Sequence, residues 1–387
     1  MARSARGKAA VLGGCLAFAL LAAGNGLDRA SASHPALAKF VPGLLAAEAH
    51  RAVAARSLDG GDNALAIARS ELAVRADPID PRSTALLGAA HLAARQAVRA
   101  DQAFRVAARF GWRDPLTQLY FMTAALNAGQ PRLAALRLDA VLRQAPNFPV
   151  RDMLLAQFEA SAAGRAALAE RLALRPAWTS QFLGDGNSLP LAALQSRAAI
   201  VATVPGPKWG CDTVAPLVTR LVISGGAAAA RQLWQGQCPD ATSTIADPHF
   251  AALLRGREPV AFEWNLIGSG DVSASQTQPP GSGLLVRLSG PSAQPVAWQM
   301  LTLAPGRYRL TWTAASPDGT QASGAFLSLA CAIQERLPVA AQAADGKGRF
   351  EASVTVDGRC PAQFLTLWLV PGGAELRFDD PAIVRLP

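Results

Sequence analysis

The chain has 387 residues, half of them hydrophobic, with 17% charged and 6% aromatic. That length supports two domains with sizeable cores, and the composition excludes a disordered or fibrous protein. The balance of 37 basic against 28 acidic residues, +9 overall, would ordinarily raise nucleic acid as a partner. Where the charge sits changes that inference: residues 1–8 carry +3, residues 9–255 hold 24 basic against 17 acidic, and residues 256–387 hold 10 against 11.

Arg3, Arg6 and Lys8 precede an apolar stretch over 9–23. A basic start followed by an apolar run marks an export signal. The stretch is short for a spanning helix, which needs about 20 residues, and Ala30-Ser31-Ala32 offers a cleavage site. Residues 1–32 are therefore a signal peptide or a single-pass anchor. Cys15 follows Leu12-Gly13-Gly14, but the apolar run continues beyond it, unlike a lipoprotein box. Either way the positive-inside rule places the rest of the chain outside the cytoplasm. Nucleic acid is then not expected as a client, and the arginines of residues 9–255 fit attraction to anionic lipid or acidic glycan near the membrane. The expected location is a bacterial cell envelope, anchored in the inner membrane facing the periplasm or secreted to the periplasm.

The four remaining cysteines fall as two local pairs, Cys211 with Cys238 and Cys331 with Cys360. In an exported chain an even set reads as disulfides, and this pairing keeps each bridge within one predicted domain. Each loop would stabilise by about 3 kcal/mol.

From residue 36 to about 237 the chain is rich in Ala, Leu and Arg, with apolar residues at helical spacing and a fixed period of 34. The period links Ala66, Ala100 and Ala134; Ser70, Phe104 and Leu138; Ala73, Ala107 and Val141; and Pro78, Trp112 and Pro146. Gly88 stands where paired helices need a small residue, and Gly61 and Gly129 fit inter-helix turns. This pattern resembles the tetratricopeptide repeat over residues 47–148, with a fourth, weaker unit over 149–180. Ser70 and Met122 depart from it. The resemblance implies a scaffold that docks a protein or peptide in a groove lined by Glu48, Arg51, Arg82, Ala85, Ala89, Leu92, Leu116, Leu119, Thr123 and Leu126. A spacer with no such partner is the competing expectation.

Beyond about 250 the texture changes to short alternating runs separated by Gly, Pro, Ser and Asp: 260–267, 284–288, 297–303, 306–314, 324–333, 349–356, 363–370 and 374–386. Eight such runs predict a β-sandwich. Phe262-Glu263-Trp264, the segment Leu301 to Leu310 with its Pro305-Gly306, and Leu376 to Val384 with Asp379-Asp380 are similar to landmarks of the galactose-binding-like jelly roll of carbohydrate-binding modules. The expected architecture is thus multidomain, α plus all-β: anchor or signal at 1–32, helical repeats at 33–250, jelly roll at 251–387. Sugar binding would use exposed rings from Trp264, Trp298, Tyr308, Trp312 and Trp368, with Trp312 and Trp368 foremost. The near-neutral charge of this half points to an uncharged ligand or none. Asp379 and Asp380 are the acidic pair a structural calcium ion could use; a strand-start turn explains them equally well.

Catalytic signatures are missing. His34, His50, His91 and His249 are isolated, with no zinc helix, nucleophile elbow, P-loop or dinucleotide fingerprint. Glu263, Glu351 and Glu375 lie on separate predicted runs, without the paired-carboxylate signature of glycoside hydrolysis. The expectation is a non-enzymatic envelope scaffold without cofactor or metal, docking protein through its repeats and glycan through its sandwich. The alternative is a structural or protein-interaction module that binds no sugar.

Overall fold

The computed structural model describes residues 2–184, 189–238, 241, 243–251, 253, 258–268, 270–277, 283–316, 324–333, 341–343, 348–372 and 375–387. Helix α1 spans Ala2–Ser31, and its segment Val11–Ser31 is long and apolar enough to cross a membrane. Val11, Leu12, Leu16, Phe18, Leu20 and Leu21 along it are exposed. Its C-terminal end is different. Gly24 lies against Leu45 and Pro42, so a side chain there would require the end of Leu45 to shift. Asp28, buried, accepts hydrogen bonds from the backbone N–H of Glu48 (3.0 Å) and Ala49 (2.8 Å). Asp28 therefore satisfies the free amides at the start of the next helix, whose own leading residue, Ala46, offers no side-chain cap.

Eight helices follow, the first six as three hairpins: α2 (Ala47–Asp59) with α3 (Asn63–Ala76), α4 (Pro81–Ala93) with α5 (Ala97–Ala108), and α6 (Pro115–Asn127) with α7 (Pro131–Gln144), succeeded by α8 (Arg151–Glu159) and α9 (Ala162–Leu172). The three hairpins start 34 residues apart, and the second and third share the same start signal. Asp80 and Asp114 cap α4 and α6 ahead of a proline at the first helical position, and Asp62 caps α3. The expected small positions, Ala66, Ala100 and Ala134, and the positions Ser70, Phe104 and Leu138, are all buried. A side chain at Gly88 would sit 3.0 Å from the Phe104 ring, which stacks on Tyr120 of the next hairpin at 4.2 Å. One ring thus joins a hairpin to itself and to its neighbour.

The chain divides into two compact units, residues 1–171 with 176–178, and residues 172–175 with 179–387. The second unit holds α10 (Thr179–Gly184), α11 (Leu191–Thr203), α12 (Cys211–Ile223) and α13 (Ala227–Gln237) together with the strands. The break in sequence texture near 250 and the break in packing near 175 do not coincide, because the segment after α13 is built into the sandwich: Ile245 and Phe250 belong to its core. The side-chain amide of Gln299, fully buried, exchanges two hydrogen bonds with the backbone of Ala246, at 2.9 and 3.1 Å. Arg231 of α13 donates to the carbonyl of Ser243 at 2.8 Å.

The strands are β1 (Asn265–Leu266), β2 (Val272–Gln276), β3 (Leu284–Leu288), β4 (Gln294–Leu301), β5 (Gly306–Ala315), β6 (Ala325–Ala330), β7 (Ala341–Ala343), β8 (Arg349–Val356), β9 (Gln363–Leu369) and β10 (Leu376–Arg385). They form two antiparallel sheets, β1-β4-β9-β6 and β2-β3-β10-β5-β8-β7, enclosing one apolar core. β2 and β7 were not among the expected runs, and the run 260–267 contributes only β1. There the Asn265 amide donates to the carbonyls of Val260 and Glu263, closing a turn instead of a strand. Disulfides join Cys211 to Cys238 and Cys331 to Cys360, as expected from their spacing.

Candidate functional site

In the repeat unit, period 34 aligns Leu58, Leu92 and Leu126 at the twelfth position of α2, α4 and α6, and Ala55, Ala89 and Thr123 one turn earlier. Leu92 is 50% exposed and Leu116 40%; Leu119 and Leu126 are half-buried, and Thr123 is exposed with its hydroxyl donating to the Leu119 carbonyl. An apolar ladder is therefore left open along α4 and α6.

Arg51 does not belong to that surface. Its side chain is buried and bound to Ser83 Oγ at 2.8 Å, Glu48 at 2.7 Å and Asp80 at 3.3 Å. A guanidinium fully used in this way braces the first hairpin to the second and is not presented to a ligand. Arg82 is half-exposed, yet it too holds Glu48 (2.8 Å) and Asp80 (2.6 Å). Burial raises the carboxyl pKa of Glu48, but hydrogen bonds and charges from Arg51 and Arg82 outweigh it and hold the group below its ordinary range. Asp80 is likewise pushed up by burial and pulled further down by Arg82 and Arg51.

One surface feature was not drawn from the sequence. Arg137 lies over the Trp112 ring at 3.8 Å and over the Phe121 ring at 5.4 Å, and Trp112 remains 46% exposed. The signal was present: Trp112 breaks the Pro78, Pro146 series.

In the sandwich, four of the five rings expected to meet sugar, Trp264, Tyr308, Trp312 and Trp368, are buried, which corrects that expectation; Trp298 keeps partial exposure. Trp264, Tyr308 and Trp312 are core residues. Trp264 packs on Phe250, Trp312 stacks on Phe350, and the Tyr308 hydroxyl donates to the Ala304 carbonyl at 2.7 Å. Trp368 lies on the opposite face of β9 from the core leucines Leu365, Leu367 and Leu369, but stacks on Phe326 and donates its Nε1 proton to Ser328 at 2.9 Å. None of the four offers a free ring face. The rings that keep partial exposure are Trp298, Phe326 and Phe364, on the outer face of the four-stranded sheet. Thr366 and Ser328 between them are buried, so that face is closed at its centre.

The outer face of the six-stranded sheet is polar. Register places Arg309 beside Ser353 and Val384, Arg307 beside Thr355, and Arg377 beside Leu285. Asp379, the expected calcium residue, is taken by His249 (Nδ1 to Oδ1, 3.0 Å) and lies 3.6 Å from Arg377. That hydrogen bond raises the His249 pKa above its ordinary value. Asp380 stands in the left-handed region at φ 51°, inside a β-bulge. Both aspartates thus serve a strand irregularity. Among the described residues no three His, Cys, Asp or Glu side chains gather at one point.

No family model and no curated protein matches the chain. Three solved structures are similar in part. The enzymatically active domain of tailspike protein 4 from bacteriophage CBA120 is 11% identical over 38% of this chain, which spans only 22% of that one, with a TM-score of 0.26. PilF of Pseudomonas aeruginosa is 15% identical over 49% of this chain and 96% of its own, TM-score 0.26. TmCBM61, solved with β-1,4-galactotriose, is 14% identical over 37% of this chain and 99% of its own, TM-score 0.22. At these TM-scores none of the three bears on the function of this chain. What the chain's own residues define is a helical-repeat unit and an antiparallel sandwich behind an apolar helix.

Proposed function

We propose that the chain is a non-enzymatic scaffold of the bacterial cell envelope, held in the inner membrane by α1 and facing the periplasm. Its repeats, of tetratricopeptide type, dock a protein partner, and its sandwich, of carbohydrate-module type, contacts a glycan. The observation that carries this reading is the open ladder on α4 and α6. Leu92 and Leu116 stay exposed and Leu119 and Leu126 half-buried along α4 and α6, and apolar surface carried by the first helices of successive repeats fits an extended or helical segment of a partner. Anchoring is supported by Asp28: removal of residues 1–32 would strip α2 of the groups that satisfy its first amides. The two disulfides support an oxidising compartment.

The test is a full-length Leu92→Asp/Leu126→Asp variant, assayed by affinity capture from solubilised envelope. Loss of a defined co-purifying protein with unchanged melting temperature is expected; retention of that protein at wild-type level contradicts docking on this ladder. A second reading, in which both units bind only protein, draws on the burial of Trp264, Tyr308, Trp312 and Trp368. It predicts that added polysaccharide leaves every capture unchanged.

A further inference from the structure

Among the described residues the arginines of the sandwich gather on one face, although residues 256–387 together hold 10 basic against 11 acidic residues. Strand alternation and register put five arginines on the outer face of the six-stranded sheet: Arg287 on β3, Arg307 and Arg309 on β5, Arg349 on β8 and Arg377 on β10. Their alternates, among them Val286, Tyr308, Leu310, Phe350 and Phe378, fill the core. The acidic residues on the face itself are Asp379 and Glu351, with Glu375 just before β10 and Asp380 in its bulge. Among the described residues that sets five arginines, Arg349 with partners of its own, against two carboxylates on the face and two at its margin. Arg309 lies 3.9 Å from Glu351 and Arg377 lies 3.6 Å from Asp379, with both guanidinium side chains 49% exposed, so the pairs are loose and solvated.

Arg307 and Arg309 lie on one strand about 7 Å apart, and the neighbouring strand about 4.8 Å away sets Thr355 and Ser353 beside them. Among the described residues the face carries no aromatic ring, so a neutral sugar finds nothing to stack on there. Guanidinium groups alternating with hydroxyls match a ligand that presents carboxylates and hydroxyls along an extended chain. Leu285 and Val384 are the apolar residues among these positions, too few to enter a bilayer.

The geometry points to this face as a binding surface for a linear acidic polysaccharide, one bearing carboxylate groups. This rests on the reading of the sandwich as a glycan-contacting unit and replaces the uncharged ligand expected from net charge. The test is binding of the full chain, in detergent micelles, to polygalacturonate, to its fully methyl-esterified neutral form, to neutral β-1,4-galactan, and to phosphatidylglycerol vesicles. Polygalacturonate is expected to bind selectively. Its affinity should fall about tenfold from low to physiological salt, and about tenfold or more in an Arg307→Gln/Arg309→Gln variant of unchanged melting temperature. Equal binding of the esterified or neutral polymers would overturn this inference and leave the glycan reading standing; no binding to any polymer would remove both. Preference for vesicles, or full affinity in the double variant, overturns the assignment to this face.

Discussion

Arg95 occupies the left-handed region at φ 60°, where Gly61 (77°) and Gly129 (67°) stand one period before and after it. A side chain there costs roughly 1–2 kcal/mol, which glycine avoids. Arg95→Gly is expected to stabilise the repeat unit by about 1 kcal/mol, read as a higher urea midpoint. Asp28→Ala should instead lower stability by about 1 kcal/mol, the usual cost of a lost helix cap. His249 sets a pH dependence. Its pKa is raised in the fold by the hydrogen bond to Asp379, so its contribution is fully present below the ordinary histidine value and is lost as pH rises through the folded value. The melting temperature should fall over that rise, and His249→Gln should flatten the dependence. At this scale the sequence was informative where a residue type has one use. Gly61, Gly129 and the cysteine pairs were readable, whereas the strained arginine was not. The rings failed for a related reason: alternation assigns a face, and on β9 both faces are buried, so Trp368 opposite the leucines was still not exposed.

At the scale of elements, the hairpins were legible because the period marks them and capping aspartates followed by prolines mark the starts of α4 and α6. Their cohesion depends on residues such as Phe104, which touches Gly88 within its hairpin and Tyr120 in the next. Phe104→Ala should cost about 3–5 kcal/mol and melt the repeats. Ser70, at the corresponding position of the first unit, has a buried hydroxyl without a hydrogen-bond partner. Ser70→Ala is therefore expected to be neutral or slightly stabilising in the same urea titration. The strand half was less legible. β2 (VSASQ) and β7 (AQA) have no strong apolar alternation, and both are paired through backbone to neighbours that do. The groove was half legible: the repeat resemblance placed Leu92, Leu119, Thr123 and Leu126 there, but the same resemblance placed Arg51 there. Only contacts with Ser83, Glu48 and Asp80 reveal that it is a brace.

Over the whole molecule, the basic balance with which the sequence opened divides into three parts: the basic first turns of α1, arginines such as Arg51 and Arg82 that bind hairpins together, and a sheet face rich in arginine. Retention of α1 predicts that protein extracted from envelopes keeps its N-terminal residues, visible as an intact mass that includes residues 1–32. The central claim is that the open ladder of α4 and α6 docks a protein. Its most direct test is a photo-crosslinker placed in living cells at Leu92 or Leu126, with Leu136 on α7, itself 38% exposed, as the comparison site. The account predicts one discrete adduct from Leu92 and Leu126 and none from Leu136; adducts of equal yield from all three sites, or from none, would contradict it.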